Sequence, residues 1–397
     1  MAMRVKIRPP KIRAPQILPR RPEIIVGIPT YNEEENISNI TKTVDSGLSK
    51  YFPDKKALII NVDSNSTDST RKAFLSTRTK TPKQYLESPR GKGASLKQLF
   101  GYFLGVESAT VLVIIDANVT TASSRWVRNL ATPILKGFDH VFPAYNNHEY
   151  DASVTNHFCY PVIRGVLGVD LRHPVVGETA MSRKAVDRLY NRAWPPAANY
   201  YGIDVLAALS SIFGELRIAQ AYLGECKYDV DTERLAERFE HRAATLFEKL
   251  DKRVHVWKND VPTRRPPYFF KGNRMSKIHT AKVDYKALNE FAIKEFAKNK
   301  ANIKKIIGSE LYRKLSGMFK SGAKLSISAE AWADIVFIFV KASKVSPARR
   351  AKALRPLYFG RFVTFYREFM DKSHTISDRA IVEQAELFFK KRGVLTS

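Results

Sequence analysis

The chain has 397 residues, 44% of them apolar, with 23 Phe and 17 Tyr, which is enough for a sizeable core and excludes global disorder. No stretch approaches the roughly 18 uninterrupted apolar residues of a spanning helix, and the basic start, Met1 to Arg21, lacks the apolar block of a signal peptide. Sixty-six basic residues face 39 acidic ones, a net charge of +27, which is more than a pocket for one small anion needs and fits a polyanion, nucleic acid before an anionic membrane surface.

The cysteines, Cys159 and Cys226, are too few for a disulfide framework and lack metal-site spacing. The expected compartment is a reducing one: the cytoplasm, or the host cytoplasm if the chain is viral.

Residues 1–22 read as an extended basic arm. Arg4, Lys6, Arg8, Lys11, Arg13, Arg20 and Arg21 alternate there with prolines, which fix φ and remove donors. Over residues 23–232 strands alternate with helices, which predicts an α/β domain with a mostly parallel sheet. Glu23–Ile28 is a strand stopping at Pro29, and Glu33–Leu48 a helix that Asn32 can cap. Ala57–Val62 is a second strand, followed by a polar turn and a helix from about Asp68. Val111–Ile115 is a third, apolar enough to be buried on both faces. The pattern changes near residue 232, and residues 233–397 are expected to form a mainly helical, basic region. Thr232–Leu250 is a long helix, and Arg264-Arg265-Pro266-Pro267 marks a linker. Helical spacing dominates from Tyr285, with buried or amphipathic helices at Ala329–Val340 and Leu357–Phe369. Between Lys252 and Lys324 basic residues far outnumber acidic ones.

Four polar motifs end successive strands or open helices. Pro29-Thr30-Tyr31-Asn32-Glu33-Glu34 follows the first strand, where ligands sit in open α/β sheets. Asp63-Ser64-Asn65-Ser66-Thr67-Asp68 follows the second, and Asp63 can accept from a base edge or a ribose hydroxyl. Arg90-Gly91-Lys92-Gly93 precedes helical sequence at Ala94–Phe100; its glycines admit a ligand close to the backbone, and Lys92 offers a charge to phosphate. Asp116-Ala117-Asn118 ends the third strand with two oxygen-bearing side chains two residues apart, a pair that can hold Mg²⁺ or Mn²⁺ against a diphosphate. Each alone is an ordinary turn or cap; their order is what a nucleotide-sugar site requires.

In these motifs the chain resembles GT-A glycosyltransferases, with their P-x-Y/L-N-E-E, D-x-x-S-T-D and D-x-D series. It is most similar to the retaining glucosyl-3-phosphoglycerate synthase and mannosylglycerate synthase group. Pro174-Val175-Val176-Gly177-Glu178, Tyr201-Gly202-Ile203-Asp204 and the helical Glu330-Ala331-Trp332-Ala333 carry that likeness. The resemblance implies a GT-A fold and a UDP- or GDP-sugar donor. Pro29, Tyr31, Glu33 and Asp63 would contact the nucleoside, Lys92 the diphosphate, and Asp116 with Asn118 the metal. Gly177 and Glu178 would line the sugar–acceptor junction, and Asp204 would position the acceptor hydroxyl. The attacking hydroxyl would enter on the face the nucleotide leaves, its proton passing to a phosphate oxygen.

Two departures bear on function. The group's metal-binding His is absent from Tyr222-Leu223-Gly224-Glu225-Cys226-Lys227-Tyr228-Asp229; Asp229 is nearest that position, Asp231 is a fallback, and His241 reads as structural. The group's phosphate-binding Arg pair is replaced at Tyr145-Asn146-Asn147-His148, where Asn146, Asn147 and His148 could hydrogen-bond a neutral hydroxyl or a base edge. The favoured acceptor is therefore a hydroxymethylated base in DNA, gripped through the arm and the 252–324 segment. Phosphoglycerate or glycerate is the alternative, and a decayed sugar- or nucleic-acid-binding protein is the third reading. The helical tail could form a homodimer interface.

Overall fold

The computed structural model describes residues 21–146, 150–175, 177–227, 234–259, 261–270, 284–320 and 322–396. Most of the basic arm and much of the segment after Phe270 therefore lie outside the described residues.

The strands are β1 (Ile24–Thr30), β2 (Ala57–Asp63), β3 (Lys83–Glu87), β4 (Val111–Ile114), β5 (His140–Tyr145), β6 (Thr179–Ser182), β7 (Ile218–Gly224) and β8 (Tyr268–Phe269). They form one sheet in the order β3-β2-β1-β4-β6-β5-β7-β8, in which β6 runs antiparallel to both neighbours. The expected α/β class and parallel pairing hold for β1, β2, β3 and β4. β1 continues through Pro29 to Thr30 because Pro29 lies past Gly27–Ile114, the last β1–β4 pair, where a missing N–H is tolerated.

The helices between the strands are α1 (Ile37–Tyr51), α2 (Thr70–Ser76), α3 (Lys92–Gly105), α4 (Ser124–Leu135), α5 (Tyr160–Leu167), α6 (Arg183–Tyr190) and α7 (Ile203–Phe213). They cover both faces, so the strands bury nearly continuous apolar runs: Ile24, Val26 and Ile28 pack with α1 and α4, while Ile25, Leu58 and Ile60 pack with α3. The α1 helix starts later than its apolar pattern predicts, and Asn32 does not cap it. Asn32 has φ 55° and its side-chain oxygen accepts from Thr67 N at 2.9 Å, tying the β1 loop to the β2 loop.

The rest is helical: α8 (Leu235–Asp251), α9 (Val254–Trp257), α10 (Tyr285–Ser316, kinked where Gly308 has φ 80°), α11 (Ala329–Lys341), α12 (Pro347–Phe369), α13 (His374–Lys390) and α14 (Gly393–Thr396). The largest apolar cluster joins this region to the sheet domain, with Phe158 and Val162 from one side and Trp332, Tyr358 and Phe388 from the other. Arginines also cross the seam, Arg164 pairing with Glu386 at 2.8 Å and the half-buried Arg172 with Asp378 at 2.8 Å, while buried Arg350 pairs with Asp251 inside the helical region. Part of the basic excess is therefore structural, its planar guanidinium forks holding helices together rather than facing a partner. Among the described residues, no helix is long and apolar enough to cross a membrane.

Candidate active site

At the carboxyl ends of β1 and β4 lies a cleft of about 340 Å³. It is open where the loops after β1, β2 and β4 face the start of α8, which is the place a parallel sheet reserves for a ligand. Seven of the expected residues lie on its wall: Pro29, Tyr31, Glu33, Lys92, Asp116, Asn118 and Gly177.

The donor side is held rigidly. The β1 and β2 loops are cross-bonded: Asn32 N donates to Ser66 Oγ at 2.8 Å, Glu33 N to Thr70 Oγ1 at 2.7 Å, and Ser69 N to Glu34 at 2.8 Å. Asp63 lies one layer behind this wall, 1% exposed, accepting from Thr30 Oγ1 at 2.9 Å, Ser66 N at 2.9 Å and Tyr85 OH at 2.8 Å. Its place in the fold is thus to lock the two loops. Above them the Arg90 guanidinium sits 4.6 Å from the Tyr31 ring centre.

The Arg90–Gly93 turn is pressed onto the loop before α7. A Cβ at Gly93 would lie 1.8 Å from the Ala198 carbonyl oxygen, and Gly91 has φ +122° as well as a close Asn199 carbonyl. Glycine is required at both positions. The turn places Lys92 at the head of α3 and in the middle of a row of alternating charge. Its Nζ lies 2.8 Å from Asp116 Oδ2 and 3.4 Å from Asp204 Oδ1, while Asp204 Oδ2 accepts from Arg242 at 2.8 Å. Burial pulls the Lys92 pKa down, but Asp116 and Asp204 together push it above its ordinary value, so Lys92 is a fixed cation.

Asp116, two residues past β4, has unequal oxygens. Oδ2 is engaged by Lys92, whereas Oδ1 is buried and has no hydrogen-bond partner. A buried carboxylate oxygen left so can coordinate a cation or accept from a donor. With Asn118 beside it on the wall, the pair fits a divalent ion held by oxygen. Among the described residues no group of three or more His, Cys, Asp or Glu could hold a metal, and the expected third ligand, Asp229, lies outside them.

Gly177 lies against the same carboxylate. A Cβ there would be 2.0 Å from Asp116 Oδ2. Gly177→Ala is therefore expected to swing Asp116 off Lys92 and cut donor turnover about 100-fold, the scale of a 1 Å misplacement, with little change in Tm. Turnover within two-fold of wild type would show that the close approach is incidental.

The remaining expected residues lie beneath or outside the cleft. Glu178 is fully buried and accepts from the Tyr145 hydroxyl. Asp204 lies behind Lys92, both oxygens occupied. Asn146 is buried, its N–H donating to the Gly224 carbonyl at 2.8 Å, and Asn147 and His148 lie outside the described residues. His241, set aside as structural, stacks on Tyr200 with ring centres 4.9 Å apart and supports the wall that Tyr200 lines.

Sequence reasoning missed the opposite wall. Arg238 and Arg242 reach the cleft from α8 and Arg234 from the residue that precedes it, and their spacing of four puts them on one helical face, a signal the sequence carried. Thr155 and His173 line the same half. His173 is 3% exposed, packs edge-on against Tyr145, and has a buried Nδ1 without a partner. No periodicity marks either residue.

A half-buried carboxylate just past β4, a fixed lysine at a helix start and two cross-bonded loops thus share one cleft, with room and charge for an anionic ligand and a cation. Residues 25–189, under half of the chain, match the sequence model of glycosyl transferase family 2, and the sheet domain that holds them is GT-A-like. No curated protein matches the chain. Among solved structures, the chain is similar to glucosyl-3-phosphoglycerate synthase from Mycobacterium tuberculosis in complex with phosphoglyceric acid, at 23% identity and TM-score 0.46, covering 57% of this chain and 80% of that one. The same synthase with Mg²⁺ and uridine diphosphate gives 22% identity and TM-score 0.48, over 57% and 79% of the chains. A further mycobacterial protein gives 22% identity and TM-score 0.46, over 57% and 74%.

Proposed function

We propose that the cleft transfers a hexose from a UDP- or GDP-sugar to a hydroxyl acceptor, with a divalent ion on Asp116 and Asn118. The observation that carries this reading is the partnerless, buried Oδ1 of Asp116, set in a cleft with Lys92 and the β1 and β2 loops. Bound Mg²⁺ or Mn²⁺ would offset the charge of the departing diphosphate. Pro29, Tyr31 and Glu33 hold the nucleoside, with Asp63 fixing the loops that present them. Lys92 meets the diphosphate and keeps Asp116 aimed. In the transfer, the bond from the anomeric carbon to the phosphate oxygen breaks and one to the acceptor oxygen forms. The acceptor's proton leaves with the nucleotide, and configuration is retained. Glu178 and Asp204 act from behind the wall, as positioning groups through Tyr145 and Lys92.

Two acceptors are in view. A small hydroxy acid such as 3-phosphoglycerate or glycerate suits a cleft of about 340 Å³ whose far wall carries Arg234 and Arg238. Asn146 is buried, so it supports the opposing loop rather than reading a base edge. The second reading, a hydroxymethylated base in DNA, draws on the net charge of +27, and reaching such a base would require it to leave the stack. The test is a donor-by-acceptor screen with Mn²⁺ or Mg²⁺. UDP-glucose comes first, since the mycobacterial synthase has been crystallised with it and Mn²⁺, and 3-phosphoglycerate, glycerate and hydroxymethylated duplex are the acceptors. Metal-dependent nucleotide release that one acceptor accelerates is expected. No release from any donor would overturn the reading in favour of a decayed binding protein.

A further inference from the structure

Away from the cleft, α10 and α12 lie side by side and antiparallel. Tyr285 stacks on Tyr366 with ring centres 5.6 Å apart, Phe291 meets Phe359 at 5.0 Å, and Arg355 pairs with Glu295. Continuing that register brings Lys352 opposite Lys298 and Arg349 opposite Ala301. The solvent side of the pair is densely basic there. Lys294, Lys298, Lys300, Lys304 and Lys305 of α10 are exposed, as are Arg349 and Lys352 of α12. No acidic residue occurs from Phe296 to Ser309, and α12 has none before Glu368.

Fold stability does not account for this arrangement. Lys294/Lys298 and Lys300/Lys304 are like charges four apart on one helix, a spacing that disfavours the helix, and Lys352 adds a third cation beside Lys298. The acid that Lys298 contacts, Glu295 at 3.2 Å, is buried and already shared with Arg355. These cations differ from Arg164, Arg172 and Arg350, which are spent on internal pairs.

The chemistry of the face selects among polyanions. A helix that settles on lipid couples its basic residues to exposed apolar anchors, and among the described residues none of the exposed large apolar side chains belongs to α10 or α12. Single-stranded nucleic acid is gripped by aromatic platforms, but Phe291 and Phe296 of α10 turn inward against Phe359 and Phe319. What remains is a row of long, mobile ammonium and guanidinium groups along a straight stretch, suited to a regular phosphate backbone and blind to sequence.

We propose that the α10–α12 face is a docking surface for double-stranded nucleic acid, held through backbone phosphates. This goes beyond the transfer reading and does not rest on it. The test is fluorescence anisotropy of the full chain with a labelled duplex of about 25 base pairs and arbitrary sequence, from 50 to 200 mM salt. The comparison is with a variant carrying Lys298→Gln, Lys304→Gln, Lys305→Gln and Lys352→Gln. Duplex binding should weaken steeply with salt, and the variant's log–log slope should be shallower by about 0.9 for each phosphate that it no longer neutralises. The variant should keep the wild-type Tm and donor turnover, because these side chains lie outside the cleft. An unchanged slope in the variant, tighter binding to a single strand of the same length, or binding to phosphatidylserine vesicles without duplex binding at 50 mM salt would each overturn the proposal. Any of these with donor turnover intact would leave the transfer reading standing.

Discussion

Asp116→Asn should lower metal-dependent release of nucleotide from the sugar donor by about 1,000-fold, the upper range for loss of one preorganised charge. The substitution keeps the shape of the side chain but removes the charge that faces Lys92 at 2.8 Å. It also weakens the Oδ1 position, the buried oxygen without a partner. Folding should be little affected, since Lys92 keeps Asp204 at 3.4 Å and so is not left as an uncompensated buried charge. Lys92→Met gives the useful contrast. It leaves Asp116 and Asp204 without their shared cation, and breaking a buried pair of this kind costs about 3–5 kcal/mol. The two variants therefore separate catalysis from stability: the first should lose turnover at a near wild-type Tm, the second should lose Tm as well. Turnover of Asp116→Asn within ten-fold of wild type would remove Asp116 from the chemistry.

Acidification should unfold the protein early, through three histidines that the fold keeps neutral. Burial pulls the His140 pKa down to about 3 against a weak opposing pull from Asp139. Burial likewise holds His157 well below the usual range, aided by Arg361 and Arg172. His173 is depressed by burial and Arg172, with Asp378 opposing. In the unfolded chain each takes up a proton near pH 6.5. The folded state cannot follow, so its stability is complete above about pH 6.5 and falls as pH drops toward the folded pKa. The slope is about 1.4 kcal/mol per pH unit for each histidine. The three losses act in the same direction and together weaken the fold as the pH falls. A Tm series from pH 7.5 to 4.5 should fall steeply below pH 6.5. In His140→Gln, which can still hydrogen-bond Ser211 and Thr179, the fall should be shallower. A flat Tm between pH 7 and 5 would contradict this.

How legible the fold was depended on the length of each apolar run. β1, β2 and β4 stand out because Ile24–Ile28, Ala57–Val62 and Val111–Ile114 are continuous, buried and rich in branched residues. β6, with only Thr179–Ser182, and the two-residue β8 are too short to show a period, and β5 hides behind Pro143. The sequence order of the donor motifs was enough to bring Pro29, Tyr31, Lys92, Asp116 and Asn118 to one wall, because strand ends in a parallel sheet share an edge. Depth was not legible. Asp63, Glu178 and Asp204 sit where their motifs imply but one layer back, held by Thr30, Tyr145 and Arg242, and no spacing rule reports which side chain is covered by its neighbours. Nor does composition separate the arginines spent on internal pairs from the lysines left outside on α10.

The most direct test of the nucleotide-diphosphate site is calorimetric titration of UDP and GDP into the protein, with and without Mn²⁺. One nucleotide should bind at a single site, at least ten-fold more tightly with Mn²⁺, and that gain should vanish in Asp116→Asn. Equal affinity with and without the ion, or a gain that survives in Asp116→Asn, would contradict the assignment of the carboxylate just past β4 to the metal.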